Sequence, residues 1–163
     1  MLRVENLRVA FPAGPAGSFD VVGGVGFAIE PGETVAFVGE SGCGKSMTAL
    51  SLMRLVPAPA RISAASLAFR GTELLALDDE AMRRLRGQEI AMIFQDPMTS
   101  LNPTMTIGRQ IAETIEAHLG LDRRAARRRT VDLLERVGIS DAARRADVYP
   151  HALSGGMRQR VMI

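Results

Sequence analysis

The rhythm of apolar and polar residues changes near the middle of the chain. From Leu2 to Val9 apolar and polar residues alternate, the period of a half-buried strand. Residues 11–18 are rich in Pro and Gly and read as a loop, and residues 25–29 as a second short strand. Pro31 and Gly32 then turn the chain into 34–38, a β-branched and apolar run that predicts a buried strand. Residues 46–53 predict a helix, 65–70 a strand ending in a turn, and 89–94 an apolar run suited to a central parallel strand. After Gln95 the period becomes helical. Thr106 is placed to cap a helix with Ile107, Ile111, Ile115 and Leu119 on its inner face and Gly120 as its stop. Asp122 caps the next, with Ala126, Leu133, Leu134 and Val137 inward and Gly138 at its end.

The strand, turn and helix at residues 34–53 form the unit of an α/β fold, within about one domain's length, 163 residues. The hydrophobic fraction of 47% and charged fraction of 23% are ordinary for a globular protein. No apolar stretch approaches the roughly 18 residues that span a bilayer, and the charged first residues do not form a signal peptide. The formal charge of +2 is too small to argue for nucleic acid. Five arginines, at 123, 124, 127, 128 and 129, fall mostly on the outer face of one helix. They fit either a solvated face or an anionic partner such as lipid headgroups or nucleic acid.

Lys45 is the single lysine, among 20 basic residues. It lies in Gly39, Glu40, Ser41, Gly42, Cys43, Gly44, Lys45, Ser46, which fits G-x-x-x-x-G-K-[ST]. Each residue type there has a physical use. Glycines let successive N–H groups turn inward as an anion nest, Lys45 reaches the β- and γ-phosphates, and the Ser46 hydroxyl can ligate Mg²⁺. Met47 continues into the helix, whose positive end faces the same phosphates. A strand before and a helix after are the context that confirms this P-loop. Cys43, the one cysteine, excludes an internal disulfide; it reads as a small filler or as a redox-sensitive thiol beside Lys45.

Two further segments narrow the class. Leu153, Ser154, Gly155, Gly156 and Met157 combine a helix N-cap type with glycines that bare backbone N–H groups to an anion. Gln95 ends the apolar run 89–94 and leads into Asp96, Pro97 and Met98. The first segment resembles the signature motif of the ATP-binding-cassette (ABC) ATPases, and Gln95 their Q-loop glutamine. With the continuation Arg158, Gln159, Arg160, the chain is similar to the oligopeptide, dipeptide and nickel importer branch. The resemblance covers the chain from Leu2 to Ile163.

The resemblance implies a P-loop NTPase core with an N-terminal antiparallel β part and a helical subdomain, divided as 1–95, 96–153 and a signature helix from 154. It implies ATP and Mg²⁺ as cofactors, with Gln95 contacting metal and attacking water, and Phe11 (or Phe19) stacking on adenine. The signature would face the ATP of a second ABC ATPase subunit. Further partners would be transmembrane permease subunits and, indirectly, a solute-binding protein, placing the chain at the cytoplasmic face of the membrane with no nucleic acid partner. A soluble cassette ATPase acting on DNA or ribosomes is the competing reading, but residues 95–154 leave no room for its coiled-coil insertion. No strand ending in Asp-Glu (Walker B) follows the signature, and His118 and His151 precede it, so neither matches the switch histidine. The chain is therefore expected to be a fragment of a longer ATPase that hydrolyses little or no ATP alone.

Overall fold

The computed structural model describes residues 1–14, 17–94 and 100–163. They divide into two compact units, Met1–Arg83 and Arg84–Ile163.

The first unit is an antiparallel sheet carrying one helix. Strand β1 (Leu2–Pro12) pairs with β2 (Ser18–Ile29) on one side, and with β3 (Arg61–Ser63) and β4 (Ser66–Phe69) on the other. Strand β5 (Thr72–Glu73) extends the sheet beyond β4. β1 is central because its apolar positions bury one face: Leu2, Val4, Leu7 and Val9 are all buried. The spacing slips by one residue between Val4 and Leu7, and an irregularity in the β1–β2 register absorbs it. Asn6, at φ 51, takes the left-handed conformation that this kink needs and that Asn tolerates better than most residues. Helix α1 (Lys45–Leu52) packs on β1 and β2. Its buried polar residues are satisfied inside the helix, Thr48 Oγ1 donating to the Gly44 carbonyl at 3.0 Å and Ser51 Oγ to that of Met47 at 2.6 Å.

Arg54 closes this unit. It adopts φ 52 just after α1, and its guanidinium donates to the Leu77 carbonyl at 2.6 Å and to the Asp79 carboxylate at 3.1 Å. These bonds tie the exit of α1 to the single turn Leu74–Ala76 and to helix α2 (Asp79–Leu85), beneath which Leu74 and Met82 are fully buried.

The second unit is helical. Helix α3 (Ile107–Leu119) packs against α4 (Arg123–Arg136), followed by the short α5 (Ala142–Arg145), a turn at Pro150–Ala152 and α6 (Gly155–Met162). Its core joins Ile107, Leu134, Ile139, Ala142, Ala146 and Leu153. Both expected caps form: Thr106 accepts from the Arg109 amide, and Asp122 from the Ala125 amide at 2.8 Å. Gly120 and Gly138 take positive φ where the two helices stop. Leu119 differs from its expected inward position and is exposed, because the chain reverses at Gly120 before it can meet α4.

Three expectations for the strands change. Residues 11–18 are not simply a loop, since β1 runs to Pro12 and β2 begins at Ser18, and residues 25–29 form only the end of that long strand. The runs 34–38 and 89–94 carry no ladder in the described residues, apart from one parallel bridge between Arg86 and Ile90. A parallel strand takes its hydrogen bonds wholly from neighbouring strands, and no described neighbour supplies them. Phe37, Val38, Ile93 and Phe94 are accordingly exposed.

Two contacts generate predictions. Gly108, in the first turn of α3, donates to the Ala146 carbonyl at 2.7 Å, and a Cβ there would lie 2.7 Å from the same oxygen. Gly108→Ala should destabilise the helical unit by about 1–3 kcal/mol in chemical denaturation, whereas a neutral effect would contradict the packing. Arg127 forms a two-pronged pair with Asp147 at 2.8 and 2.7 Å, which raises the arginine's pKa and holds the Asp147 carboxyl below its ordinary value. A carboxylate with a lowered folded pKa contributes stability above its unfolded pKa and loses it as pH falls through the folded one. Both side chains are more than half exposed, so Asp147→Asn should cost at most about 1 kcal/mol at neutral pH. The difference should shrink as the pH falls below the ordinary carboxylate range and vanish below the lowered folded value; a cost that persists below both would contradict an ionic origin.

Candidate functional site

The P-loop is built on the junction between β2 and α1. Gly44 is the N-cap of α1 at φ 91, in the left-handed region. It is buried against β2: a Cβ would lie 2.7 Å from the Val21 carbonyl oxygen and 3.3 Å from Val22 Cγ2. Conformation and space therefore both demand glycine at 44. Gly42, at φ 85, turns the chain in open space. The preceding run 34–38 is anchored through Phe37, whose ring meets Phe27 of β2 edge-on at 4.9 Å between centroids.

Helix α1 differs from the other described helices of eight or more residues. Thr106, Asp122 and Ser154 each accept a first-turn amide with their side chains, whereas Gly44 has no side chain to offer. The first intrahelical bond runs from Thr48 N to Gly44 O at 2.8 Å. The amides of Lys45, Ser46 and Met47 precede it and have no carbonyl four residues back within the helix. No acidic residue lies in this first turn, so partial positive charge accumulates where the glycines leave the backbone uncovered. Lys45 adds a full charge. Its Nζ donates to the carbonyls of Gly39 at 2.6 Å and Glu40 at 2.7 Å, and lies 3.4 Å from Cys43 Sγ. Glu40, Ser41, Cys43 and Ser46 are exposed around it. Bared amides, an ammonium and an exposed hydroxyl are what a phosphate chain with its Mg²⁺ requires.

Phe11 and Phe19, the alternatives for stacking a base, are brought together. They face each other across β1 and β2 and stack at 5.9 Å with planes 18° apart. Phe11 is half-buried and Phe19 is 55% exposed, so the free apolar face at this position is largely that of Phe19. Gln95 lies outside the described residues.

The signature segment belongs to the helical unit. Leu153 is buried in its core and Met157 packs on that core. Ser154 caps α6, its Oγ accepting from the Met157 amide at 3.4 Å. Gly155 and Gly156 are exposed, and a Cβ at either would meet nothing within 4 Å. Packing thus leaves both glycines unexplained, and close approach of another molecule to their backbone would explain them. Arg158, which the sequence offers only as part of the motif's continuation, has a positioning role. Its Nε donates to the carbonyls of Pro150 at 2.8 Å and Leu153 at 3.1 Å, fixing the turn that presents Ser154. The signal was only an arginine one residue past the motif, and it became informative once the turn carbonyls were located.

The chain is similar to known proteins over its whole length. The ABC transporter family profile matches residues 22–163. A putative peptide import ATP-binding protein of Brucella abortus is 53% identical over the whole chain, and the dipeptide transport ATP-binding protein DppD of Escherichia coli is 48% identical over the whole chain. The chain spans about half the length of the curated relatives it matches, 50% in both cases. Among solved structures, a dimeric bacterial ABC transporter cassette superposes with a TM-score of 0.83 at 24% identity, over all of this chain and 67% of its own. The same cassette in a post-hydrolysis state, bound to ADP and Pi, gives 0.81 at 22% identity, over 99% of this chain and 67% of its own. With a P-loop and a signature segment each placed on its own unit, and a family profile spanning both, the chain belongs to the ABC transporter family.

Proposed function

We propose that this chain is the ATP-binding, energy-coupling part of an importer for peptides or related small solutes. The observation that carries the proposal is the uncapped, acid-free start of α1 beside the Lys45 ammonium. In this reading Gly39, Gly42 and Gly44 shape the cradle, the amides of Lys45, Ser46 and Met47 bind phosphate oxygens, and Lys45 neutralises their charge. Glu40, Ser41 and Cys43 contribute backbone to the loop, and the Ser46 hydroxyl holds Mg²⁺. Phe19, with Phe11 behind it, offers the base an apolar face. Bound ATP supplies a phosphoanhydride whose cleavage drives the transport cycle; this chain's residues bind and orient it. Gln95 is assigned to the metal and the attacking water.

Leu153, Ser154, Gly155, Gly156 and Met157 are assigned to the ATP of a second ABC subunit. The bare glycines support that assignment, as does the dimeric form of the superposed cassette. In this reading residues 1–95 are the ATP-binding core, 96–153 the helical subdomain and 154–163 the start of the signature helix. Transmembrane permease subunits are the proposed partners, and a solute-binding protein an indirect one. The names of the relatives, peptide import and dipeptide transport, support this class of cargo. No described helix is long and apolar enough to cross a membrane, and the proposed location is peripheral, on the cytoplasmic face. The reading as a soluble cassette ATPase acting on DNA or ribosomes finds no support in these relatives.

The test is nucleotide binding by the chain itself, followed by calorimetry. Lys45→Ala removes a charged donor whose hydrogen bonds contribute about 1.5–3 kcal/mol, so ATP affinity should fall at least about tenfold while the fold is retained. Equal affinity of the two proteins would contradict the assignment.

A further inference from the structure

Two of the five arginines that open α4 stand where the helix disfavours them: Arg123 and Arg124 occupy the first turn, at the positive end of the helix dipole, with no acidic residue in that turn, and Arg127, Arg128 and Arg129 follow in the next. A merely solvated face would gain from Asp or Glu there. All five arginines are exposed. Arg127 is committed to Asp147, and no ion pair engages the other four among the described residues. Arg124, Arg127 and Arg128 line an open depression with Val131 and Asp132, the one acid in its lining. The Asp122 carboxylate is occupied as the helix cap, accepting from the Ala125 amide.

An apolar feature adjoins the cluster. Leu119 and Leu121 flank Gly120 at the turn between α3 and α4, exposed by 56% and 37%. The chain therefore presents two leucines at a helical turn and, within the next eight residues, five guanidinium groups. Leucines that enter the acyl boundary beside arginines that hold phosphates are the chemistry of a membrane-surface contact. Single-stranded nucleic acid would call for aromatic stacking instead, and no aromatic residue lies between Leu119 and Arg136.

We infer that the α3–α4 turn and the arginine face of α4 dock on an anionic lipid surface. The contact goes beyond the nucleotide reading: it gives this chain a direct hold on the bilayer, separate from any permease partner, and it does not need ATP. Arg124 and Arg128 supply the electrostatic part, and Leu119 and Leu121 the part that survives salt.

Co-sedimentation of the nucleotide-free chain with phosphatidylcholine vesicles, with and without phosphatidylglycerol, tests this. Binding should appear only with the anionic lipid and weaken as salt is raised. The double change Arg124→Glu and Arg128→Glu should lower the partition coefficient about tenfold or more. Arg61→Glu, a single charge reversal on β3, should leave it nearly unchanged. Leu119→Ser with Leu121→Ser should abolish the binding that remains at high salt. Circular dichroism establishes that each variant is folded, with Arg124→Gln and Arg128→Gln replacing any reversal that is not. Binding equal on neutral and anionic vesicles, no binding at all, or equal losses from Arg61→Glu would overturn the inference. So would capture of duplex DNA in preference to vesicles through the same arginines.

Discussion

Gly44 is the constraint on which the placement of the P-loop depends. Helix α1 can begin where it does only because residue 44 combines a left-handed backbone with no side chain, against the Val21 carbonyl. That single approach seats α1 on the sheet and leaves its start without a capping side chain. It also sets the turn from which Lys45 reaches back over the carbonyls of Gly39 and Glu40. Any larger residue at 44 would move the helix away from β2, and the uncovered amides with it. The glycine therefore links fold to chemistry: the packing that requires it also creates the anion-binding end.

The signature segment reaches a related result by different means. Its helix is capped by Ser154, and its position is set by burial of Leu153 and by Arg158 gripping the preceding carbonyls. What it exposes is backbone at Gly155 and Gly156, with no local packing reason for either glycine. One site thus combines free amides with a cation, and the other presents bare backbone from a rigid base. This difference supports the proposed reading, in which the P-loop grips one ATP and the signature segment meets the ATP of a second subunit.

Much of this was legible in the sequence because it rests on local chemistry. Thr106, Gly120, Asp122 and Gly138 delimit the helices as their cap preferences predict, and Ser154 caps α6. The P-loop glycines were readable for the same reason. What could not be read depends on partners distant in sequence. The runs 34–38 and 89–94 have the composition of buried strands, yet a ladder needs a neighbour that composition does not specify. The pairing of Phe11 with Phe19 needed the β1–β2 register, which shifts by one residue between Val9 and Ala10. Arg54 acts on the carbonyls of Leu74 and Leu77, far along the chain, and Arg158 on those of Pro150 and Leu153 in the preceding turn; only the folded turns show either contact.

The central claim is that residues 39–47 form a cradle for the phosphates of ATP. Backbone amide chemical shifts of the isotopically labelled chain, followed as Mg²⁺-ATP is added, test it directly. The account predicts that the largest changes fall on the amides of Gly42, Gly44, Lys45, Ser46 and Met47, that ADP reproduces most of them, and that AMP, lacking the β-phosphate, does not. Shifts confined to other residues, or equal responses to AMP and ATP, would contradict it.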